Sequence, residues 1–390
     1  MCNVSIIVPI YHGQKYIPSI IRQVEDCNKC ADEKINIELL LVNDAPDCPL
    51  PPGYSSRYID IVALNTETNR GTQGARVRGA ECSRGSFLLF LDQDDKIAPE
   101  YLKSQIEKIE GCDAVVCRAL HEKKPFYNHT RPFAESICKK YILGEENPII
   151  SPGQVLIKRE AVSEIWKENI LKNNGADDWL LWLCMMEEGK SFALNDEILF
   201  EHVVEGDNGS LRIEEMQRSE QEVLEVIRRS PAFSVEDADV LAGTIQNLTM
   251  RRLKLLGKFQ RMSCIYDRWL SLKNKGICIA GCLRKKGYRT IAVYGVTSLG
   301  ERLCQELETD KMGVSYFIDR NALFFDNGIK VCSPEEELCQ VDVVIISLVQ
   351  DEQQISDLLK TKLPADIWTI AELLDRAEQE TLQETGKSMK

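Results

Sequence analysis

Three aspartates, Asp92, Asp94 and Asp95, directly follow an unbroken apolar run at residues 87–91. A short run that is apolar on both faces is typical of a buried strand in a parallel sheet. Carboxylates crowded at the end of such a strand repel one another, and they need a cation or solvent to coexist. Because open α/β sheets bind ligands at the carboxyl ends of their strands, the pattern predicts Mg²⁺ or Mn²⁺ shared with a phosphate. The alternative is an acidic turn that caps the next helix before Pro99.

The segments before these acids alternate between strand and helix patterns. Short apolar runs predict three more buried strands, at residues 4–9, 37–42 and 59–64. The second run ends in Asp44, and a glycine-containing turn at residues 69–74 leads into a helix that carries Arg76. The resulting order of strands and helices predicts an α/β fold with a mostly parallel sheet and helices on both faces.

Composition bounds the class of protein. The chain has 390 residues, of which 44% are hydrophobic, and its formal net charge is -13. The length predicts two or three domains, and the negative charge argues against nucleic acid as a partner. Its 15 cysteines form no patterned set of metal ligands and no signal peptide is recognisable, which predicts a cytoplasmic protein. No apolar run approaches the roughly 20 residues that a membrane-spanning helix needs.

Five pieces of the sequence match one known family in the same order and over the same span. They are residues 5–11 (SIIVPIY), 42–44 (VND), 69–71 (NRG) with Ala75-Arg76, 85–95 (GSFLLFLDQDD) and Asp177-Asp178. Through these pieces, residues 3 to about 205 resemble family 2 glycosyltransferases with the GT-A fold. The resemblance implies transfer of a sugar from a nucleotide-diphosphate donor, with inversion at the anomeric carbon.

The resemblance also implies which residues carry the chemistry. A divalent cation, Mn²⁺ or Mg²⁺, on the donor's diphosphate stabilises the charge that builds as the glycosidic bond breaks. Asp94 is the implied metal ligand, and His202 is a further metal or phosphate contact. Asp178 is the implied base that takes the proton of the acceptor hydroxyl, while Asp177 stands where Glu is more usual. A structural histidine and a plain helix cap are the alternatives for His202 and Asp178.

Donor binding falls on six further residues: Pro9, Tyr11, Asp44, Arg76, Asp92 and Asp95. By the family pattern, Asp92 contacts the ribose or sugar, Asp95 supports the site, and Asp44 accepts a hydrogen bond from the ring N–H of the base. Arg76 lies near the base or the diphosphate, where a cation is useful. The alternatives are a strand-end Asx turn for Asp44 and a surface helix charge for Arg76.

A GT-A domain at residues 1–207 is predicted to lead into a helical connector at residues 208–287. Between Arg251 and Arg289, twelve basic residues face one acid, Asp267, and apolar residues are interleaved at roughly helical spacing. One interpretation is a peripheral patch for anionic lipid headgroups. The other interpretation is an inter-domain helix whose positive charges compensate acidic faces of the domains on either side.

Residues 288–375 resemble the small Rossmann-like domains attached to sugar-modifying enzymes, and residues 376–390 are predicted as a frayed polar tail. Gly295, Gly300 and Asp319 carry this match and define a second candidate nucleotide site. A dinucleotide fingerprint has glycine where Thr297 stands, and a threonine side chain there crowds a pyrophosphate. A structural or partner-docking module is therefore the default expectation.

The sequence thus predicts an inverting, metal-dependent glycosyltransferase of surface polysaccharide or glycoconjugate synthesis. A UDP-sugar is the expected donor, and a hydroxyl of a glycan or lipid-linked molecule is the expected acceptor. The expected location is the cytoplasm, with peripheral contact at the inner face of the membrane as an option. The alternatives are a non-catalytic nucleotide-binding regulator or scaffold, and an oxidoreductase acting through the C-terminal domain. Asp92, Asp94 and Asp178 argue against the first, and Thr297 argues against the second.

Overall fold

The computed structural model describes residues 3–31, 35–126, 132–204, 212–322 and 329–388. The chain forms two compact units, Met1–Met250 and Arg251–Lys390. Each unit contains its own β-sheet. Within the described ranges, no helix combines the length and the apolar character needed to cross a bilayer.

The first unit is built on a mixed sheet. Among the described residues its strands are β1 (Asn3–Ile10), β2 (Asn36–Asn43), β3 (Asp60–Asn65), β4 (Phe87–Phe90), β5 (Lys96–Ile97), β6 (Ala114–His121), β7 (Lys124–Pro125), β8 (Val155–Lys158) and β9 (Phe192–His202). Their order is β3-β2-β1-β4-β8-β6-β9-β5, and β7 pairs with β6. The neighbouring strands β3, β2, β1 and β4 pair in parallel, whereas β8 runs antiparallel to β4 and β6. The predicted parallel arrangement therefore holds for the half of the sheet that contains the strand before the aspartates.

Helices cover both faces of this sheet, as the sequence predicts. They are α1 (Ile17–Cys30), α2 (Gly71–Cys82), α3 (Tyr101–Lys108), α4 (Phe133–Ser136), α5 (Lys139–Gly144), α6 (Glu164–Glu168), α7 (Asp177–Glu187) and α8 (Ile213–Arg229), with α9 (Val235–Asn274) beginning in the same unit. Side chains alternate along each strand, so Ile7 of β1 packs with α2, α7 and α8, and Ile6 and Val8 pack with α1 and α3. Burial on both faces explains why these strands are continuous apolar runs.

Two glycines position α2 against the sheet. Gly71, the first residue of α2, has φ +75°, a left-handed conformation that glycine adopts without steric cost. A Cβ on Gly79 would lie 2.3 Å from Cγ2 of Ile7, so glycine lets the helix pack closely on β1. This packing brings Arg76, on the same helix, to the residues that follow β4.

The second unit has a parallel sheet of five described strands: β10 (Ile291–Tyr294), β11 (Tyr316–Ile318), β12 (Val331–Cys332), β13 (Val343–Ile346) and β14 (Asp366–Thr369). Its helices besides the end of α9 are α10 (Ile279–Lys285), α11 (Ser298–Thr309), α12 (Glu352–Lys362) and α13 (Ile370–Ser388). The strand order β12-β11-β10-β13-β14 places the first strand of the unit in the centre, as in doubly wound sheets. Membership of the Rossmann-like group stays a prediction.

Three predicted boundaries differ from the structure. The limit between the units falls inside the connector predicted at residues 208–287, because α8 and α10 each bury an apolar face in the core of a different unit. The tail predicted at residues 376–390 is helical as far as Ser388. The sequence also predicts a strand at residues 192–200 with His202 just beyond it, whereas β9 extends to His202.

Candidate active site

A buried arginine joins the two acidic segments that the sequence singles out. Arg76, which is 4% exposed, donates from Nη2 to Asp92 Oδ1 at 2.5 Å and from Nη1 to Asp177 Oδ2 at 2.6 Å. Burial opposes the charged form, but the two carboxylates outweigh it and raise the pKa of Arg76 above its already high range. The guanidinium therefore stays charged and holds the loop after β4 against the start of α7. Its buried Nε–H finds no partner within the described chain, which leaves one donor for water or a ligand.

Asp95 is buried and fully engaged. It is 1% exposed and accepts hydrogen bonds from Ser151 Oγ at 2.9 Å and from the Val203 N–H at 3.1 Å. His202 Nδ1 lies 2.9 Å from its Oδ1, and the ring of His202 stacks on that of His121 at 5.3 Å. Burial lowers the pKa of His202, but the bond to Asp95 and the nearby acids produce a net rise. Asp95 therefore fixes the orientation of the His202 ring.

The charges around Asp94 fit a hard divalent cation. Burial, followed by the charges of Asp92 and Asp95, raises the pKa of Asp94 to about 7. Because Asp95 occupies Nδ1 of His202, Nε2 is the ring atom left for a metal, which is the usual setting of a metal-bound histidine. In the described parts of the chain no three candidate ligands are already grouped around a common point. A cation here would take its remaining ligands from phosphate or water.

Asp178 lies in the first turn of α7 and is 8% exposed. Its Oδ1 accepts the Trp179 N–H at 2.7 Å, and its Oδ2 accepts from Asn147 Nδ2 at 3.2 Å. Burial, followed by the charge of Asp177, raises the pKa of Asp178 to about 7, although Arg76 opposes the rise. A carboxylate that titrates near neutral pH is suited to accept a proton during catalysis.

Two tryptophans anchor the start of α7. Trp166 Nε1 donates to the carbonyl of Asp177 at 2.8 Å, and Trp179 Nε1 donates to the carbonyl of Ile142 at 2.9 Å. Both rings are buried in the core of the first unit. The helix that carries Asp177 and Asp178 is therefore fixed by buried packing as well as by the ion pair with Arg76.

The other predicted donor contacts have local roles in the structure. Asp44 Oδ1 accepts the Arg70 N–H at 2.8 Å, so its side chain stabilises the turn before α2. Burial raises the pKa of Asp44. Pro9 is buried in β1, whereas Tyr11 is 54% exposed and donates its N–H to Gln93 Oε1 at 3.1 Å. Gln93 thus links the end of β1 to the aspartate loop.

In the second unit, the predicted nucleotide site is held by its own hydrogen bonds. Asp319 Oδ2 accepts the Val296 N–H at 2.9 Å, and its other oxygen accepts a second backbone N–H at 2.9 Å. Thr297 caps α11 by accepting the Gly300 N–H at 3.1 Å. A Cβ on Gly300 would lie 2.6 Å from the carbonyl oxygen of Gly295, so both glycines serve close packing of this loop. These contacts support the structural alternative for the site.

Three contributors to the first site received no role from the sequence. Asp177 pairs with Arg76, Asn147 donates to Asp178, and Ser151 donates to Asp95. The position of Asp177 beside Asp178 at a helix start is a signal that could have found it. Asn147 and Ser151 lie in a segment without periodicity, where one sequence offers no comparable signal.

Comparison with known families identifies the class of the first unit. Residues 5–166 match the family model described as glycosyl transferase family 2. The matched segment runs from β1 into α6 and includes Arg76 and the aspartate loop. The first unit is therefore similar to family 2 glycosyltransferases over this segment, and the predicted α/β class is confirmed. Asp177, Asp178 and His202 lie beyond the matched segment.

Individual relatives agree with this class. The chain is 29% identical over 118 residues to EpsH of Bacillus subtilis (strain 168), named as a glycosyltransferase; the match covers 29% of this chain and 33% of EpsH. It is 27% identical over 117 residues to the succinoglycan biosynthesis protein ExoO of Rhizobium meliloti (strain 1021), covering 29% and 32%. The chain thus spans about a third of the length of the curated relatives that it matches.

Among solved structures, the chain is similar to S. aureus TarS 1-349 in complex with UDP-GlcNAc. The sequences are 16% identical, the TM-score is 0.44, and the match covers 63% of this chain and 72% of the other.

Proposed function

We propose that this protein transfers a sugar from a nucleotide-diphosphate donor to a hydroxyl group, with inversion at the anomeric carbon. The observation that carries the proposal is the hydrogen-bonded chain from Asp92 through Arg76 to Asp177. It brings the acids at the end of β4 and the candidate base on α7 into one site. The match of residues 5–166 to the family model supports the same conclusion.

In this proposal Asp178 acts on the acceptor. Its carboxylate accepts the proton of the attacking hydroxyl, and its raised pKa makes it a stronger base than an exposed aspartate. Asn147 and the Trp179 N–H orient the two carboxylate oxygens. Arg76 keeps Asp92 in place for the donor.

Asp94 and His202 are the proposed ligands of a divalent cation, Mn²⁺ or Mg²⁺. When bound, such a cation neutralises charge on the leaving diphosphate. Asp95 holds the ring of His202 by its hydrogen bond to Nδ1. The repulsion that raises the pKa of Asp94 also attracts a cation to this loop.

We propose a UDP-sugar as donor and a glycan or a lipid-linked molecule as acceptor. The name of ExoO, a succinoglycan biosynthesis protein, supports a role in polysaccharide assembly. Asp44 remains the proposed partner of the nucleotide base, with the oxygen that does not bond the Arg70 N–H.

The test is release of nucleoside diphosphate from a panel of UDP-, GDP- and TDP-sugars, with Mn²⁺, with Mg²⁺ and with chelator. The full chain is compared with Asp178→Asn, which keeps the shape of the side chain and removes its basicity. Asp60→Asn is the matched control, because Asp60 is exposed at the start of β3. We expect metal-stimulated release for the wild type and the control, and a loss of about 10²–10⁴-fold for Asp178→Asn.

Two results would contradict the proposal. One is release that Asp178→Asn leaves unchanged, which would exclude Asp178 as the base. The other is tight binding of a nucleotide sugar with no release by the wild type in any condition, including a mixture of glycan and lipid-linked acceptors. That result would favour a nucleotide-binding regulator.

A further inference from the structure

Part of α9 exposes large apolar side chains. Leu253 is 53% exposed, Leu255 50%, Leu256 41% and Phe259 56%. Earlier in the same helix, Leu241 and Ile245 are buried in the core of the first unit. Scattered surface leucines are ordinary, but four large apolar residues within seven positions form a patch that marks an interaction site.

Basic residues surround this patch. We define the basic segment as residues 251–261, which contain five basic residues and no acid. At about 100° per residue, Lys254, Lys258 and Arg261 fall within about 60° of one another on the helix. Leu253, Leu256 and Phe259 lie on the other side, where Arg252 falls between Leu256 and Phe259. The segment is therefore an amphipathic helix with a cationic face and a mainly apolar face that carries one arginine.

Two residues of the second unit contact the segment. Glu352 interacts electrostatically with Arg261, and Gln350 Nε2 donates to the backbone carbonyl of Lys254 at 3.3 Å. The next acid along α9 is Asp267, almost two turns beyond Arg261. The rest of the chain is strongly acidic, since the whole molecule carries a formal charge of -13 despite this segment. The positive charge is thus concentrated where the apolar side chains are exposed.

We infer that the basic segment binds the surface of a bilayer that contains anionic lipids. An interfacial helix inserts its apolar side chains at the boundary of headgroups and acyl chains, while Lys and Arg contact the anionic headgroups. Here the exposed leucines and phenylalanine would insert at that boundary, and Lys254, Lys258 and Arg261 would contact the headgroups. Pairing with the same segment of a second copy would instead bring two sets of Lys254, Lys258 and Arg261 together, which is unfavourable for like charges.

The inference does not depend on the proposed catalytic activity, because it concerns binding alone. Sedimentation of the full chain is measured with vesicles of phosphatidylcholine and with vesicles that also contain phosphatidylglycerol, at low and high salt. We expect binding only to the second kind of vesicle, and weaker binding at high salt because salt screens the charges.

Two variants separate the charged contribution from the apolar one. Lys254→Gln with Lys258→Gln should lower the partition coefficient about 25-fold, at about fivefold for each lysine. Leu256→Glu with Phe259→Glu should lower it at least about tenfold, because the carboxylates oppose insertion. Val235→Glu, at a residue 80% exposed at the start of α9, and Lys360→Gln, on the exposed side of α12, are the matched controls and should bind as the wild type does.

Circular dichroism and thermal unfolding of every variant confirm that the fold is retained. The inference is overturned if the wild type does not bind vesicles that contain phosphatidylglycerol. It is also overturned if the patch variants bind these vesicles as tightly as the controls do. Sedimentation velocity supplies one more overturning outcome. Self-association of the wild type that Leu256→Glu with Phe259→Glu abolishes would show that a second copy, and not a bilayer, covers the patch.

Discussion

Each unit places an aspartate just after a parallel strand, but the two settings differ in how the charge is met. In the first unit, Asp94 lies among other carboxylates, and burial and their repulsion raise its pKa to about 7. In the second unit, both oxygens of Asp319 accept backbone N–H groups of neighbouring turns. Asp319 is therefore satisfied within the protein, whereas Asp94 has charge that an added cation would stabilise.

The arginines of the two units repeat this contrast. Arg76 is buried between Asp92 and Asp177, and its Nε–H has no partner within the described chain. Arg268 also pairs with two acids, Asp375 and Glu378, but its side chain is 38% exposed. Similar residue types therefore satisfy one another in the second unit, whereas in the first unit they leave a carboxylate cluster and a buried N–H that a ligand could satisfy. Unmet demand of this kind is what a ligand site needs.

The largest effect is expected at the arginines. Arg76→Met leaves the buried carboxylate of Asp177 and the partly exposed carboxylate of Asp92 without their partner, and should lower the free energy of unfolding by roughly 3 kcal/mol. Arg268→Met removes two partly exposed ion pairs and should lower the free energy of unfolding by at most about 1 kcal/mol. Urea unfolding followed by circular dichroism measures both. An equal loss in the free energy of unfolding for the two substitutions would contradict the proposed difference between the arginines of the two units.

Opposite signs are expected at the two strand-end aspartates. Asp94→Asn relieves repulsion and should raise the free energy of unfolding of the metal-free protein by roughly 1 kcal/mol. Asp319→Asn replaces an acceptor of backbone N–H groups and should lower it by about 1–2 kcal/mol. The measurement is urea unfolding in the presence of chelator. A stabilising Asp319→Asn or a destabilising Asp94→Asn would reverse the interpretation of these sites.

A smaller effect is expected in the pH dependence of the proposed reaction. The base is active when deprotonated, and the pKa of Asp178 is raised from 3.8 to about 7, so the rate should rise as pH increases through about 7. Asn147→Ala removes a hydrogen bond to the charged carboxylate and should move the midpoint upward by about 0.5–1 pH unit. Asn28→Ala, whose side chain bonds backbone carbonyls elsewhere, is the control. A midpoint near 4 in the wild type would contradict the role of Asp178.

Much of the first site could be predicted from the sequence. The apolar run at residues 87–91 and the aspartates after it indicated a strand end, because a strand buried on both faces has no polar positions. The pair Asp177-Asp178 was visible because acids at a helix start are a local pattern. What the sequence could not provide is the partner of Arg76, since Asp177 is 101 residues away and only the packing of α2 and α7 brings them together.

The second unit shows where sequence reasoning gave less. Gly295, Gly300 and Asp319 match part of a nucleotide-binding pattern, and the structure gives each of them a packing or hydrogen-bonding role. The division of the predicted connector between two cores was also missed. The sequence of an amphipathic helix such as α8 predicts that one face is buried, but it does not predict which of the two cores that face packs against.

We propose that the acids after β4 are stable together because a cation and a phosphorylated sugar bind there. The most direct test is a thermal-shift measurement with a panel of nucleotide sugars, with and without Mn²⁺, on the wild type and on Asp94→Ala. The account predicts that a UDP-sugar raises the melting temperature of the wild type only when Mn²⁺ is present, and that Asp94→Ala shows no rise. An equal rise without metal, or an undiminished rise in Asp94→Ala, would contradict it.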